Sequence, residues 1–164
     1  MDGQLGGTKS TNYRDYYKDQ LTGALEYQDF VAEQLYSVGL PLFNYASKKY
    51  QIERGENKLG VEIKHDKKFR TTGNFWIEIS EKSRPDKKDY FTSGIHRSDN
   101  TWLYVIGDYE EIFIFAKEFL KKLHASGKYK IIENGTRTSR GFLLPRSDAE
   151  KYAAKIVSIK ATPA

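Results

Sequence analysis

Polar and apolar positions along the chain follow two rhythms. From Tyr13 the pattern is helical. It is strongest over Gly23 to Val38, where Ala24, Tyr27, Val31, Leu35 and Val38 recur at three- and four-residue steps and define one stripe for burial. Gly39 and Pro41 stop this helix. Leu42 to Ile52 reads as a strand or an extended connection, and Arg54 to Asn57 as a turn. The rhythm then changes to period two. Leu59, Val61 and Ile63 share one face, with Glu62 and Lys64 on the other. Over Asn74 to Lys82, Phe75, Ile77 and Ile79 lie opposite Trp76, Glu78, Ser80 and Lys82.

Lys67 to Gly73, with Thr71-Thr72-Gly73, suits a hairpin loop between these two segments. Ser83 to Asn100 is polar and turn-rich. Trp102 to Ile106 and Glu111 to Phe115 read as strands around a bend at Asp108-Tyr109-Glu110. Ala116 to Ser126 is an amphipathic helix with Phe119, Leu120 and Leu123 on one face. Tyr129 to Glu133 suits a short strand and Thr136 to Gly141 a basic loop leading into Phe142-Leu143-Leu144-Pro145. Ser147 to Ile156 suits a closing helix, N-capped by Ser147 or Asp148. This order predicts an α/β or α+β domain over residues 13–164, preceded by a flexible tail over 1–12.

Composition narrows the class. A chain of 164 residues suits one domain with a proper core. A hydrophobic fraction of 38% and twelve tyrosines are too much for a disordered chain. The absence of cysteine excludes disulfides and thiolate metal sites. The N-terminus lacks an apolar signal core, and no apolar run approaches the roughly 18 residues of a membrane span. A cytoplasmic protein without membrane contact is therefore expected. The net charge of +5 is a mild bias toward polyanions. No phosphate-binding Gly-x-x-x-x-Gly-Lys, Gly-x-Ser-x-Gly or Gly-x-Gly-x-x-Gly occurs, which speaks against an NTPase, a serine hydrolase or a dinucleotide enzyme. His65, His96 and His124 lie in no metal-ligand spacing and read as surface or satisfied side chains.

The chemistry sits on the two alternating segments. If they form an antiparallel hairpin, their polar faces bring Glu78 opposite Glu62, Lys64 or Asp66, depending on register. Adjacent carboxylates repel unless a cation lies between them. Hard oxygen ligands suit Mg²⁺ or Mn²⁺, held here by Glu62 and Glu78. Lys64 would then stabilise charge at an attacked phosphate, with Lys82 as a second candidate lysine. Arg137 and Arg140 flank Thr138-Ser139 in a Gly-containing loop fit to clamp phosphates, and Arg97 and Lys82 add cations nearby. The alternative reading of the same charges is a solvated sheet face with cross-strand ion pairs.

These segments resemble the PD-(D/E)XK nuclease superfamily. Gly60-Val61-Glu62 sits where that family has Gly-x-Asp, and Phe75-Trp76-Ile77-Glu78-Ile79 where it has its Ile-Glu-x-Lys strand. The helix Tyr27 to Leu35, ending at Gly39, resembles the family's acid-or-Gln helix and makes Gln28 the helix contribution. The resemblance covers roughly Ala24 to Phe115, and the chain as a whole resembles proteins of phages and prophages. It implies a restriction-endonuclease-like mixed β-sheet core flanked by helices. It further implies a Mg²⁺- or Mn²⁺-dependent hydrolase of DNA in a bacterial cytoplasm, with Glu62, Lys64, Glu78 and Gln28 at its centre. Two departures stand out: the first acid is Glu, and Ser80 occupies the usual lysine position. They leave open a non-catalytic module that binds nucleic acid or protein on the same fold.

Overall fold

The computed structural model describes residues 13–40 and 59–159. The expected tail over 1–12, the strand or connection over 42–52 and the turn at 54–57 lie outside these residues. Helix α1 spans Tyr13–Ser37 and ends at Gly39, whose φ of 88° is open to glycine at little cost. Of the expected stripe, Tyr27, Val31 and Leu35 are fully buried, whereas Ala24 and Val38 are exposed.

Among the described residues, eight strands form two four-stranded sheets, an α+β architecture. The first contains β1 (Val61–His65), β4 (Leu103–Gly107), β5 (Glu111–Ala116) and β8 (Lys155–Ser158), in the order β1-β4-β5-β8. Strand β1 runs parallel to β4; the other pairs are antiparallel. The second sheet contains β2 (Asn74–Glu81), β3 (Phe91–Thr92), β6 (Ile132–Glu133) and β7 (Ser139–Pro145), in the order β3-β2-β7-β6 and wholly antiparallel.

The expected hairpin is therefore absent: the two alternating segments belong to different sheets. The connection between them is not a hairpin loop but a helical turn, α2 (Phe69–Thr72), closed by Gly73 at φ 73°. Asp66 organises it. One carboxylate oxygen accepts from the amides of Lys68 and Phe69, and the other from the amide of Trp76 at the start of β2. Phe69 is buried and stacks on Phe75 at 4.4 Å. This packing carries the chain out of the first sheet and into the second.

Each sheet face follows its sequence alternation. Val61, Ile63, Val105, Ile112 and Ile114 pack against Tyr27, Val31 and Leu35 of α1. On the opposite face Tyr104, Ile106, Phe113 and Phe115 join Phe75, Ile77, Phe142 and Leu144 of the second sheet. Helices α3 (Lys117–Ala125) and α4 (Arg146–Tyr152) close this second core with Leu120, Leu123 and Ala149. Three sequence expectations are corrected. The basic loop at Thr136 to Gly141 narrows to a turn, since Ser139 already begins β7. The closing helix stops at Tyr152, and the chain continues as β8. Neither Ser147 nor Asp148 caps α4, whose N-cap position is Pro145. Among the described residues, no helix is long and apolar enough to cross a membrane.

Candidate functional site

A cleft of about 630 Å³ is lined by Tyr104 and Ile106 of the first sheet and by Trp76 and Glu78 of β2. Its walls come from the end of β1 and the α2 turn on one side. On the other they come from β2, β7 and the β6–β7 turn.

Glu62 and Lys64 lie two residues apart on β1 and so share a face. It is the face turned away from α1, since Val61 and Ile63 take the other. Glu62 is only 6% exposed, and a buried carboxylate is costly without a partner. Lys64 supplies one: its Nζ lies 2.7 Å from Glu62 Oε1, while its stem stays half in solvent at the cleft. In the β1–β4 register Glu62 stands beside Tyr104 and Lys64 beside Ile106.

Glu78 faces the cleft from β2. Both of its oxygens are held, Oε1 by the Ser93 hydroxyl and Oε2 by the Ser139 hydroxyl, each at 2.7 Å. Ser93 precedes the 3-10 turn Gly94–His96, which presses on the Glu78 backbone. A Cβ on Gly94 would meet the Glu78 carbonyl oxygen at 2.1 Å, and Gly94 has φ 55°. Only glycine satisfies both constraints. The β2–β7 register shifts between Glu78 and Ser80, a bulge that lets Ser139 reach the carboxylate.

Tyr104 connects the two walls. Burial raises the pKa of its phenol first, and the charges of Glu62, Glu78 and Asp99 raise it further, while Lys64 opposes them. The phenol therefore stays a neutral hydroxyl, within electrostatic reach of both acids and the lysine. Tyr104, Ser93 and Ser139 are site residues that the sequence reading passed over. The alternation of Trp102, Tyr104 and Ile106 carried a signal for the first; Ser139 stood out only as part of the loop between Arg137 and Arg140, not as a partner of Glu78.

The remaining expected residues divide. Gln28, half-buried on α1, belongs to the layer on the Val61/Ile63 side and is not among the cleft-lining residues. Asp66, one register's candidate first acid, has its carboxylate taken up by three backbone amides. Lys82, Arg140 and Arg137 gather around Tyr90 and Glu133. Lys82 Nζ lies 4.7 Å from the Tyr90 ring centroid and Arg140 Cζ 3.9 Å. Tyr90 donates to Glu133, which Arg137 approaches at 3.6 Å. Arg97 sits apart, 3.8 Å from Asp99 in the buried ion pair of Asp99 with Lys117. His96 and His124, far apart in sequence, meet at 2.6 Å between ring nitrogens, each satisfying the other.

Glu62 and Glu78, with the Tyr104, Ser93 and Ser139 hydroxyls, are hard oxygen donors of the kind Mg²⁺ takes. Among the described residues, no three His, Cys, Asp or Glu side chains converge. A cation held there would draw most of its shell from water, as Mg²⁺ commonly does. No family model, curated protein or solved structure matches the chain.

Proposed function

We propose that the protein is a nuclease-type hydrolase acting on nucleic acid, with Glu62, Lys64 and Glu78 as its working side chains. One observation carries this reading. Lys64, paired with Glu62 at 2.7 Å, lines a cleft that also presents Glu78 and Tyr104. An acid-x-Lys pair thus exists as Glu62-Ile63-Lys64, on β1 rather than at Glu78.

In this reading Lys64 neutralises charge on the attacked phosphate, and Tyr104 donates a hydrogen bond to a phosphate oxygen. Ser93 and Ser139 hold the Glu78 carboxylate oriented through their hydroxyl hydrogen bonds. Glu62 and Glu78 would hold Mg²⁺ or Mn²⁺, which supplies an acidified water and screens phosphate charge when bound. The cations around Tyr90 and Lys67 and Lys68 at the cleft give a nucleic-acid backbone, DNA in the first instance, somewhere to lie.

Cleavage of plasmid and of a single-stranded DNA in Mg²⁺ or Mn²⁺ tests it. Glu78→Ala should fall to background, and Lys64→Ala should lose about 100-fold or more. Equal rates for wild type and Glu78→Ala sink the proposal. The engagement of both carboxylates by Lys64, Ser93 and Ser139 favours a second reading, in which the fold binds nucleic acid without cutting it. Wild-type binding without cleavage, unchanged in Glu78→Ala, selects that reading.

A further inference from the structure

Trp76 is the largest side chain in the cleft, and the role proposed for the acids does not use it. It stands on the same face of β2 as Glu78 and opposite Leu143 of β7. Its indole lies across β7 at Gly141. A Cβ on Gly141 would meet Trp76 Cζ2 at 2.9 Å and the Ile77 carbonyl oxygen at 2.2 Å. The glycine leaves the space that the ring occupies, so the strand supports one side of it. Leu143 beside it is 42% exposed, and Ile106 and Ile132 continue the apolar floor. Lys64, Lys67 and Lys68 stand on the rim, all exposed.

Lys64 is paired with Glu62, and the other acids at the cleft have partners of their own. Asp66 is bonded to three backbone amides, Glu133 to Tyr90 and Arg137, and Glu78 to two serines. A supported aromatic ring on an apolar floor, edged by ammonium groups, matches one kind of ligand. That ligand has a flat apolar face and an anionic tether.

We propose that the cleft takes an unpaired nucleotide, its base stacked on Trp76 and its phosphates against Lys64, Lys67 and Lys68, so that the preferred polymer is single-stranded. The proposal rests on the nucleic-acid reading above and sharpens it. About 630 Å³ is the size of a site that encloses one small ligand. In a duplex both faces of each base are already stacked and cannot reach an indole at the bottom of a cleft. A single strand offers its bases freely, and an aromatic platform accepts any of them.

The test uses the full chain, whose two tryptophans are Trp76 and Trp102. In Trp102→Phe, Trp76 is the sole indole. A short oligothymidylate should quench its fluorescence, and the same sequence in a blunt duplex should not. By anisotropy with a labelled oligonucleotide, Trp76→Ala should weaken single-strand binding between about 5-fold and 150-fold. Trp76→Phe should recover most of it, which a merely destabilised Trp76→Ala variant would not explain. Single-strand binding that is unchanged in Trp76→Ala, or a wild type that prefers duplex, overturns the proposal and leaves the nucleic-acid reading standing. Absence of binding to either form, at low salt and with Mg²⁺ present, overturns both.

Discussion

The Asp66 side chain shows how one residue can look like chemistry and be architecture. In sequence it is an acid following Glu62 and Lys64 at the same two-residue spacing. In the fold its two oxygens accept three amides, one of them from Trp76, ten residues on. It holds the start of the α2 turn and fixes where β2 begins. Asp66→Ala should therefore lower stability by about 1–3 kcal/mol, because it leaves two part-buried amides, of Phe69 and Trp76, without an acceptor. Asp66→Asn, which keeps one acceptor oxygen, should fall between it and wild type. Urea midpoints measure both, and equal midpoints for Asp66→Ala and wild type contradict the role. Glu62 and Lys64 were readable as partners, because period two places them on one face whatever the neighbouring strand. The hold of Ser93 and Ser139 on Glu78 was not readable, since each serine comes from a distant segment.

At the level of elements, the 3-10 turn Gly94–His96 and helix α3 are joined through their histidines. His96 and His124 approach at 2.6 Å with ring centroids 4.8 Å apart. The pKa of His96 is lowered from its ordinary 6.5, by burial first and then by His124, Lys121 and Lys117, all cations or potential cations on or at the start of α3. A histidine whose pKa is lowered by folding takes up its proton more readily in the unfolded chain. Its contribution to stability is complete above about pH 6.5 and is lost as the pH falls below that value. Denaturant unfolding between about pH 7.5 and 5 should show stability declining with acid. His96→Gln should flatten that decline, and an unchanged slope would refute the coupling. The same turn backs Glu78, so these elements also set the cleft wall. Strands β7 and β8 escaped the sequence reading for a physical reason. Ser139, Arg140 and Gly141 break apolar alternation in β7, and β8 is four residues long. Both are strands because partners β2 and β5 pair with them.

Across the whole molecule, a net charge of +5 becomes meaningful only through its placement. Lys82, Arg137 and Arg140 are drawn together around Tyr90, while Lys64, Lys67 and Lys68 edge the cleft. If these cations contact phosphates, the double variant Arg137→Ala/Arg140→Ala should weaken nucleic-acid binding with little regard to sequence. It should also reduce the slope of log K against log salt by up to about 2, roughly one unit per lost contact. Arg97→Ala, whose side chain sits by Asp99 instead, should leave that slope unchanged. Anisotropy titrations between roughly 50 and 200 mM salt read both. Equal slopes for wild type and the double variant would remove these arginines from the binding surface.

By itself the sequence determined the local periods: the α1 stripe at Tyr27, Val31 and Leu35, the alternation of β1, β2, β4 and β5, and the shared face of Glu62 and Lys64. These follow from backbone geometry, which repeats every 3.6 or 2 residues wherever the chain lies. The tertiary structure alone decided the pairing. A hairpin and a crossing between sheets present the same alternation. The choice fell to Phe69 packing on Phe75, the Asp66 contacts and the burial of β1 against β4 and α1. Those energies arise between residues far apart in the chain, and they brought Glu78 to Lys64 across a cleft rather than along a ladder.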